Sequence, residues 1–102
     1  MEKSGRPGPP LRPMGDGIDG RPFDPQRYKA AFGAAVYSRR LEAALNRALL
    51  ARMAGLGSSH VSSIESGDIA PSIVAVRKLA GTFGCTAADL LDDAEEFLRR
   101  DR

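Results

Sequence analysis

The sequence predicts an all-α domain of five helices behind an unstructured N-terminal tail. Three observations carry that prediction. Apolar residues from Phe32 onward recur at helical spacing, with no sustained strand alternation. Helix starts and stops punctuate those runs at Asp24-Pro25, Asn46, Gly55, Ser72 and Gly84. Aromatics make up only 6% of the chain and Trp is absent, so small helices packed closely are favoured over a β-sandwich.

Residues 1–22 hold five of the seven prolines and five of the eleven glycines. Such a stretch cannot bury a core and is expected to be disordered. The domain is expected to occupy 23–102. Asp24 is a good N-cap, Pro25 suits the first helical position, and Phe23 is placed to pack back as a staple. Tyr28, Phe32, Val36 and Arg40 share one face of helix 1, over about 25–43. Asn46 opens a second helix carrying Leu49, Leu50 and Met53, which Gly55 stops. Gly57 or Ser58 opens a third, with Val61 and Ile64, ending at Gly67. Pro71-Ser72 precedes a fourth with Ile73, Val76, Leu79, Ala80 and Phe83, capped by Gly84. Thr86 opens the last, about 87–100, with Leu90, Leu91, Ala94, Phe97 and Leu98 at helical spacing.

Several functions are excluded by what 102 residues contain. One Cys (Cys85) forms no disulfide framework or Cys cluster, and one His (His60) forms no multi-His metal site. Cys85 falls at an apolar position and reads as core. No apolar run approaches the roughly 20 residues of a membrane span, and the N-terminus lacks an apolar signal region. A cytoplasmic location away from membranes is expected. Ser58, Ser59 and His60 are sequence neighbours, which is not how a nucleophile and its base are arranged. Gly55-x-Gly57-x-x-His60 lacks the third glycine and the preceding strand of a dinucleotide loop. No enzyme and no cofactor is expected.

Charge is uneven although the net is only +2. Residues 27–52 carry Arg27, Lys29, Arg39, Arg40, Arg47 and Arg52 against Glu42 alone. Residues 89–102 carry six acidic groups against three arginines. Charge alone favours solvated helix surfaces over a phosphate-facing side. Twelve Arg against three Lys, with abundant Ala, point to a GC-rich bacterial source.

The most specific segment is Arg47–Ser66, RALLARMAGLGSSHVSSIES. Two short helices meet at Gly55, where a positive φ is expected. Ala51 is small where the helices must cross closely. Leu50, Ala54, Leu56, Val61 and Ile64 form an apolar seam. The spacing suits a helix-turn-helix, with an αα-corner within a bundle as the alternative.

From about Phe32 to Leu91 the chain resembles the phage lambda repressor and Cro-like family of helix-turn-helix domains. The resemblance rests on Leu45-Asn46-Arg47, Leu50-Ala51, Gly55-Leu56, Val61, Ile64-Glu65-x-Gly67, Pro71-Ser72, Leu79-Ala80-x-x-Phe83-Gly84 and Leu90-Leu91. It implies a five-helix lambda-repressor-like domain, with the helix-turn-helix at about 47–66. It further implies that the third helix enters the major groove of double-stranded DNA, usually as a dimer. It implies an ion pair between Arg40 and Glu65, because a partly buried carboxylate needs a cation. Asn46 and Arg47 match a phosphate-contacting helix start, with Arg where most members have Gln. Ser58, Ser59, His60, Ser62 and Ser63 match the groove-facing positions. They lack the Arg, Gln or Asn that read bases bidentately. Ala44 stands where members often have Gly, so that turn is expected to differ locally.

Two functions follow. One is a DNA-binding transcriptional regulator, dimeric because serine-based readout gives little affinity per half-site. The other is a protein-interaction module on the same fold, an antitoxin or adaptor with a protein partner and weak or no specific DNA binding. Leu91, Ala94, Phe97 and Leu98 continue past a complete core and are expected to form the homodimer surface, with flanking charges set to cross-pair. The alternative has Phe97 and Leu98 fold back on helix 1.

Overall fold

The computed structural model describes residues 22–100. The expected tail over 1–22 lies outside the described residues, Pro22 apart. Five helices follow in order: α1 (Pro25–Glu42), α2 (Arg47–Ala54), α3 (Ser58–Glu65), α4 (Ile73–Phe83) and α5 (Ala87–Arg100). The all-α prediction and its helix order hold.

Local chemistry sets most of the boundaries. The Asp24 carboxylate accepts the Gln26 N–H at 3.0 Å, and Pro25 takes the first helical position. The Phe23 ring lies 6.1 Å from that of Tyr28, centroid to centroid, as a staple requires. Asn46 accepts the Leu49 N–H at 2.8 Å to open α2, and Ser72 accepts the Ala75 N–H at 3.0 Å to open α4. At α5 the caps are reciprocal. Thr86 Oγ1 accepts the Asp89 N–H at 2.9 Å, and the Asp89 carboxylate accepts the Thr86 N–H at 3.0 Å. The backbone bond from Thr86, with help from its hydroxyl, holds the Asp89 carboxyl below its ordinary pKa. Helix α3 starts at Gly57 with no side-chain cap.

The stops share one pattern. The N–H of Leu45, Leu56, Asp68 and Cys85 bonds back to the carbonyl of Arg40, Ala51, Ser63 and Ala80 respectively, at 2.8–3.1 Å. Each bond closes a Schellman turn around one left-handed residue. Three of those residues are glycines; the first is Ala44, with φ 58°. Ala44 thus adopts the left-handed conformation that favours glycine.

The core gathers Phe32, Ala35 and Val36 of α1, Leu50, Ala51 and Ala54 of α2, and Val61 and Ile64 of α3. It is completed by Val76, Leu79 and Ala80 of α4 and Leu90 and Ala94 of α5. Leu45, Leu56, Phe83 and Cys85 pack at its edge, and burial pushes the Cys85 thiol pKa up. Gly33 sets the crossing of α1 over α3. A Cβ there would lie 2.5 Å from the carbonyl oxygens of both Ile64 and Glu65. The Gln26 side chain reinforces the crossing by donating to the Gly67 carbonyl at 3.0 Å. Among the described residues no helix is long and apolar enough to cross a membrane.

Helix α5 lies along α1, and the basic and acidic blocks meet across the two helices. Arg39 Nε donates to Asp93 at 2.6 Å, Arg27 donates to the Leu98 carbonyl at 3.3 Å, and the Tyr28 hydroxyl donates to Glu95 at 2.8 Å. Burial, then the Glu95 carboxylate, push the Tyr28 phenol up to about 12. The Leu91, Ala94, Phe97 and Leu98 stripe, expected as a dimer surface, is not one exposed surface. Ala94 is wholly buried in the protomer, Phe97 packs at the core's edge, and Leu98 is half-buried. Phe97 and Arg100 line a groove with Ala30, Ala31 and Ala34 of α1. Small side chains on α1 let α5 approach closely enough to take up that stripe. Leu91 stays 39% exposed. The flanking charges are also engaged at home: Glu96 pairs with Arg99 at 2.7 Å and Arg100 at 3.5 Å.

Candidate nucleic-acid interface

Helices α2 and α3 form a two-helix unit around Gly55, whose φ of 71° lets the chain reverse in three residues. Leu50, Ala51 and Ala54 bury one side of α2, and Val61 and Ile64 bury the inner side of α3. At 100° per residue, the opposite side of α3 carries Ser59, Ser62, Ser63 and Ser66. Ser59 and Ser66 are exposed, while Ser62 and Ser63 are partly covered. Ser58 and His60 flank this face, Ser58 exposed and His60 half-buried. Ser66 belongs to the same face, although the sequence reading ended it at Ser63. Its hydroxyl donates to the Ser63 carbonyl at 3.2 Å. The surface that α3 offers is neutral, short and rich in hydroxyls.

The positive charge beside it comes from α2 and is organised by Glu65. That side chain is only 3% exposed. Its Oε2 accepts from Arg40 Nε at 2.7 Å, and its Oε1 accepts from Arg40 Nη2 at 3.1 Å and Arg47 Nε at 2.9 Å. Arg40 is itself buried. Its Nη1 donates to the Leu45 carbonyl at 2.9 Å, and its guanidinium sits 5.3 Å from the Tyr37 ring centroid. The hydrogen bonds to Glu65 raise the Arg40 pKa above its ordinary value. The structure thus brings Arg40 and Glu65 together in a two-pronged pair.

It also brings in Arg47, which the sequence reading placed only against phosphate. No sequence signal marks a pairing between residues 47 and 65; it arises because α2 and α3 cross. The Arg47 side chain is 51% exposed, so it touches both the carboxylate and solvent. Asn46 is committed differently, its side chain serving as the α2 cap. Gly33 is the other residue that sequence reasoning missed. Its one visible signal was a glycine in the middle of a helix, where Ala would be favoured by about 1 kcal/mol. Among the described residues no group of three or more His, Cys, Asp or Glu is placed to hold a metal ion.

Five helices, with a tightly turned pair whose second member lays a polar face outward, define a helix-turn-helix domain. The helix-turn-helix family model matches residues 36–90, more than half of the chain. The chain belongs to that family, of the Cro/CI type. Two solved structures share the fold, both of the clp gene regulator ClgR from Corynebacterium glutamicum. One superposes with a TM-score of 0.68 at 23% identity, covering 72% of this chain and 78% of that one. The other gives 0.63 at 25% identity, covering 68% and 90%. A search of curated proteins returned no match. Family membership makes this a DNA-binding protein of transcription regulation and points away from catalysis.

Proposed function

We propose that the chain is a cytoplasmic, dimeric regulator that lays α3 in the major groove of duplex DNA. The observation that supports this most directly is the division of α3 itself. Val61 and Ile64 are buried to 0% and 1% exposure, while the opposite serine face is open to solvent at Ser59 and Ser66 and partly open at Ser62 and Ser63. Asn46 and Arg47 at the start of α2 stand beside it and contact phosphate; Ser58, Ser59, His60, Ser62 and Ser63 face the bases. Hydroxyls donate and accept alike, so base discrimination per half-site is weak. Two copies on a two-fold site, about one helical turn apart, supply the missing specificity.

The dimer surface is redrawn around Leu91. Ala94 and Phe97 are occupied within the protomer, but Leu91 borders an apolar pocket of about 290 Å³ whose walls include Tyr28, Phe32, Pro71, Ile73 and Val76. Ile73 is 86% exposed and Val74 58%, at the start of α4. A second copy that covers these residues removes apolar surface from water at roughly 25 cal/mol per Å².

Fluorescence anisotropy with a mixed-sequence duplex tests the DNA reading. Affinity should fall steeply with salt, and Ser59→Ala or His60→Ala should alter preference at a contacted base pair by about 1–3 kcal/mol. Light scattering at tens of micromolar tests the dimer, with Leu91→Asp expected to give a folded monomer. A chain that shows no salt-dependent duplex binding would be the protein-interaction module instead.

A further inference from the structure

We propose that Glu65 is a positioning residue for phosphate recognition, holding the Arg47 guanidinium so that its terminal nitrogens meet a DNA phosphodiester. The proposal rests on the duplex-binding reading above and adds to it a role for a residue that never touches DNA.

The charge arrangement is the starting point. One buried carboxylate needs one buried cation, and Arg40 fills that need with two hydrogen bonds. Arg47 is therefore surplus to neutralising Glu65. Its positive charge is not cancelled and sits at the half-exposed edge of the cluster. The geometry adds direction. Arg47 engages Glu65 through Nε, and among the described residues no other partner is found for its guanidinium. A guanidinium is planar, so a bond at Nε restrains where its two terminal nitrogens can point. Those nitrogens form the fork that matches phosphate oxygens. Arg47 is also the first residue of α2, where the positive end of the helix dipole adds to its charge. Arg40 cannot take this task, since all three of its nitrogens donate within the fold.

The proposal makes a prediction opposite in sign to simple electrostatics. Glu65→Gln deletes a negative charge near bound phosphates, so Coulomb attraction alone would tighten binding. Loss of positioning weakens it. The experiment is a two-by-two cycle in the full chain: wild type, Arg47→Ala, Glu65→Gln and the double variant. Each is titrated by anisotropy against one fluorescein-labelled mixed-sequence duplex across a salt series, at a temperature where circular dichroism shows it folded. Arg47→Ala should weaken binding several-fold and reduce the log K against log[salt] slope by about 0.9, one phosphate. Glu65→Gln should weaken binding several-fold in the wild-type background and cause no loss, or a slight gain, in the Arg47→Ala background. Tighter binding by Glu65→Gln in the wild-type background, or an equal loss in both backgrounds, overturns the proposal while leaving duplex binding intact. Should Glu65→Gln fail to fold, Arg47→Lys decides. It keeps the charge but lacks the fork, so affinity should drop close to that of Arg47→Ala; wild-type affinity overturns the proposal. A wild-type chain that binds no duplex even at low salt overturns the underlying reading and this role with it.

Discussion

The turns on either side of α2 do the same job with different residues. Between α2 and α3, Gly55 takes the left-handed position, and the Leu56 N–H closes onto Ala51 at 2.8 Å. Between α1 and α2, Ala44 takes that position, and the Leu45 N–H closes onto Arg40 at 3.1 Å. An L-residue there costs roughly 1–2 kcal/mol that glycine avoids. The difference lies in what surrounds each turn. Only the α1–α2 turn has a buried side chain across it, since Arg40 both begins the turn and donates to the Leu45 carbonyl beyond it. Glycine at a turn supplies freedom; Arg40 supplies a constraint strong enough to hold alanine where glycine would sit. The α1–α2 turn is thereby tied to Glu65, and through it to the end of α3.

The largest expected effect comes from cutting that tie. Glu65→Ala leaves Arg40 buried without its anion and should cost about 3–5 kcal/mol, against little for Asp68→Ala on the exposed loop. Arg40→Ala should cost somewhat less, because Arg47 still accompanies the carboxylate. The double variant should cost less than the sum of the two. Thermal melts read these differences at about 4–8 °C per kcal/mol for a domain of this size, and strict additivity would remove the pair from the account.

Gly33→Ala comes next. Its methyl would meet two α3 carbonyls, so overpacking should cost about 1–3 kcal/mol despite the better helix propensity of alanine. A stabilised variant would mean that α1 can lift off α3.

The two turns should then respond oppositely. Gly55→Ala should destabilise by about 1 kcal/mol, while Ala44→Gly should stabilise by up to about 1 kcal/mol. If Arg40 holds the first turn, the gain from Ala44→Gly should grow in the Glu65→Ala background. An unchanged gain would separate the turn from the clamp.

The smallest effect concerns the start of α5. The Asp89 pKa is lowered in the fold, so its contribution to stability is present above the ordinary carboxyl value of 3.8 and is lost as pH falls through the folded value. Asp89→Asn should lower the melting temperature slightly at neutral pH and converge on wild type in acid, flattening the acid limb of the profile.

Much of the fold was legible because its punctuation is local. Asp24-Pro25, Asn46, Ser72 and Thr86 announce helix starts whatever lies elsewhere in the chain. The glycine stops are equally local. The Arg40–Glu65 pairing was suggested by family resemblance, since two charges 25 positions apart carry no signal of contact by themselves. What escaped the sequence depends on which helices meet. Ala94 and Phe97 form part of an apolar stripe that suits a dimer or a core equally well. The approach of α5 to the alanines of α1 assigns Ala94 to the core and Phe97 to its edge. Arg47 gave no hint of its carboxylate for the same reason, and Gly33 none of the carbonyls beneath it.

The bare start of α3 has a consequence in time as well as in space. First-turn amides lack an acceptor within their own helix. At the third helical position, Leu49, Ala75 and Asp89 each donate to a cap side chain. The counterpart in α3 is His60, and Gly57 has no side chain to offer it. Its amide is left to solvent in the unbound protein and should exchange for deuterium sooner than the other three. A duplex seated over α3 would slow that one exchange and leave Ala75 and Asp89 unaltered, so the contact could be located by a clock rather than by a substitution.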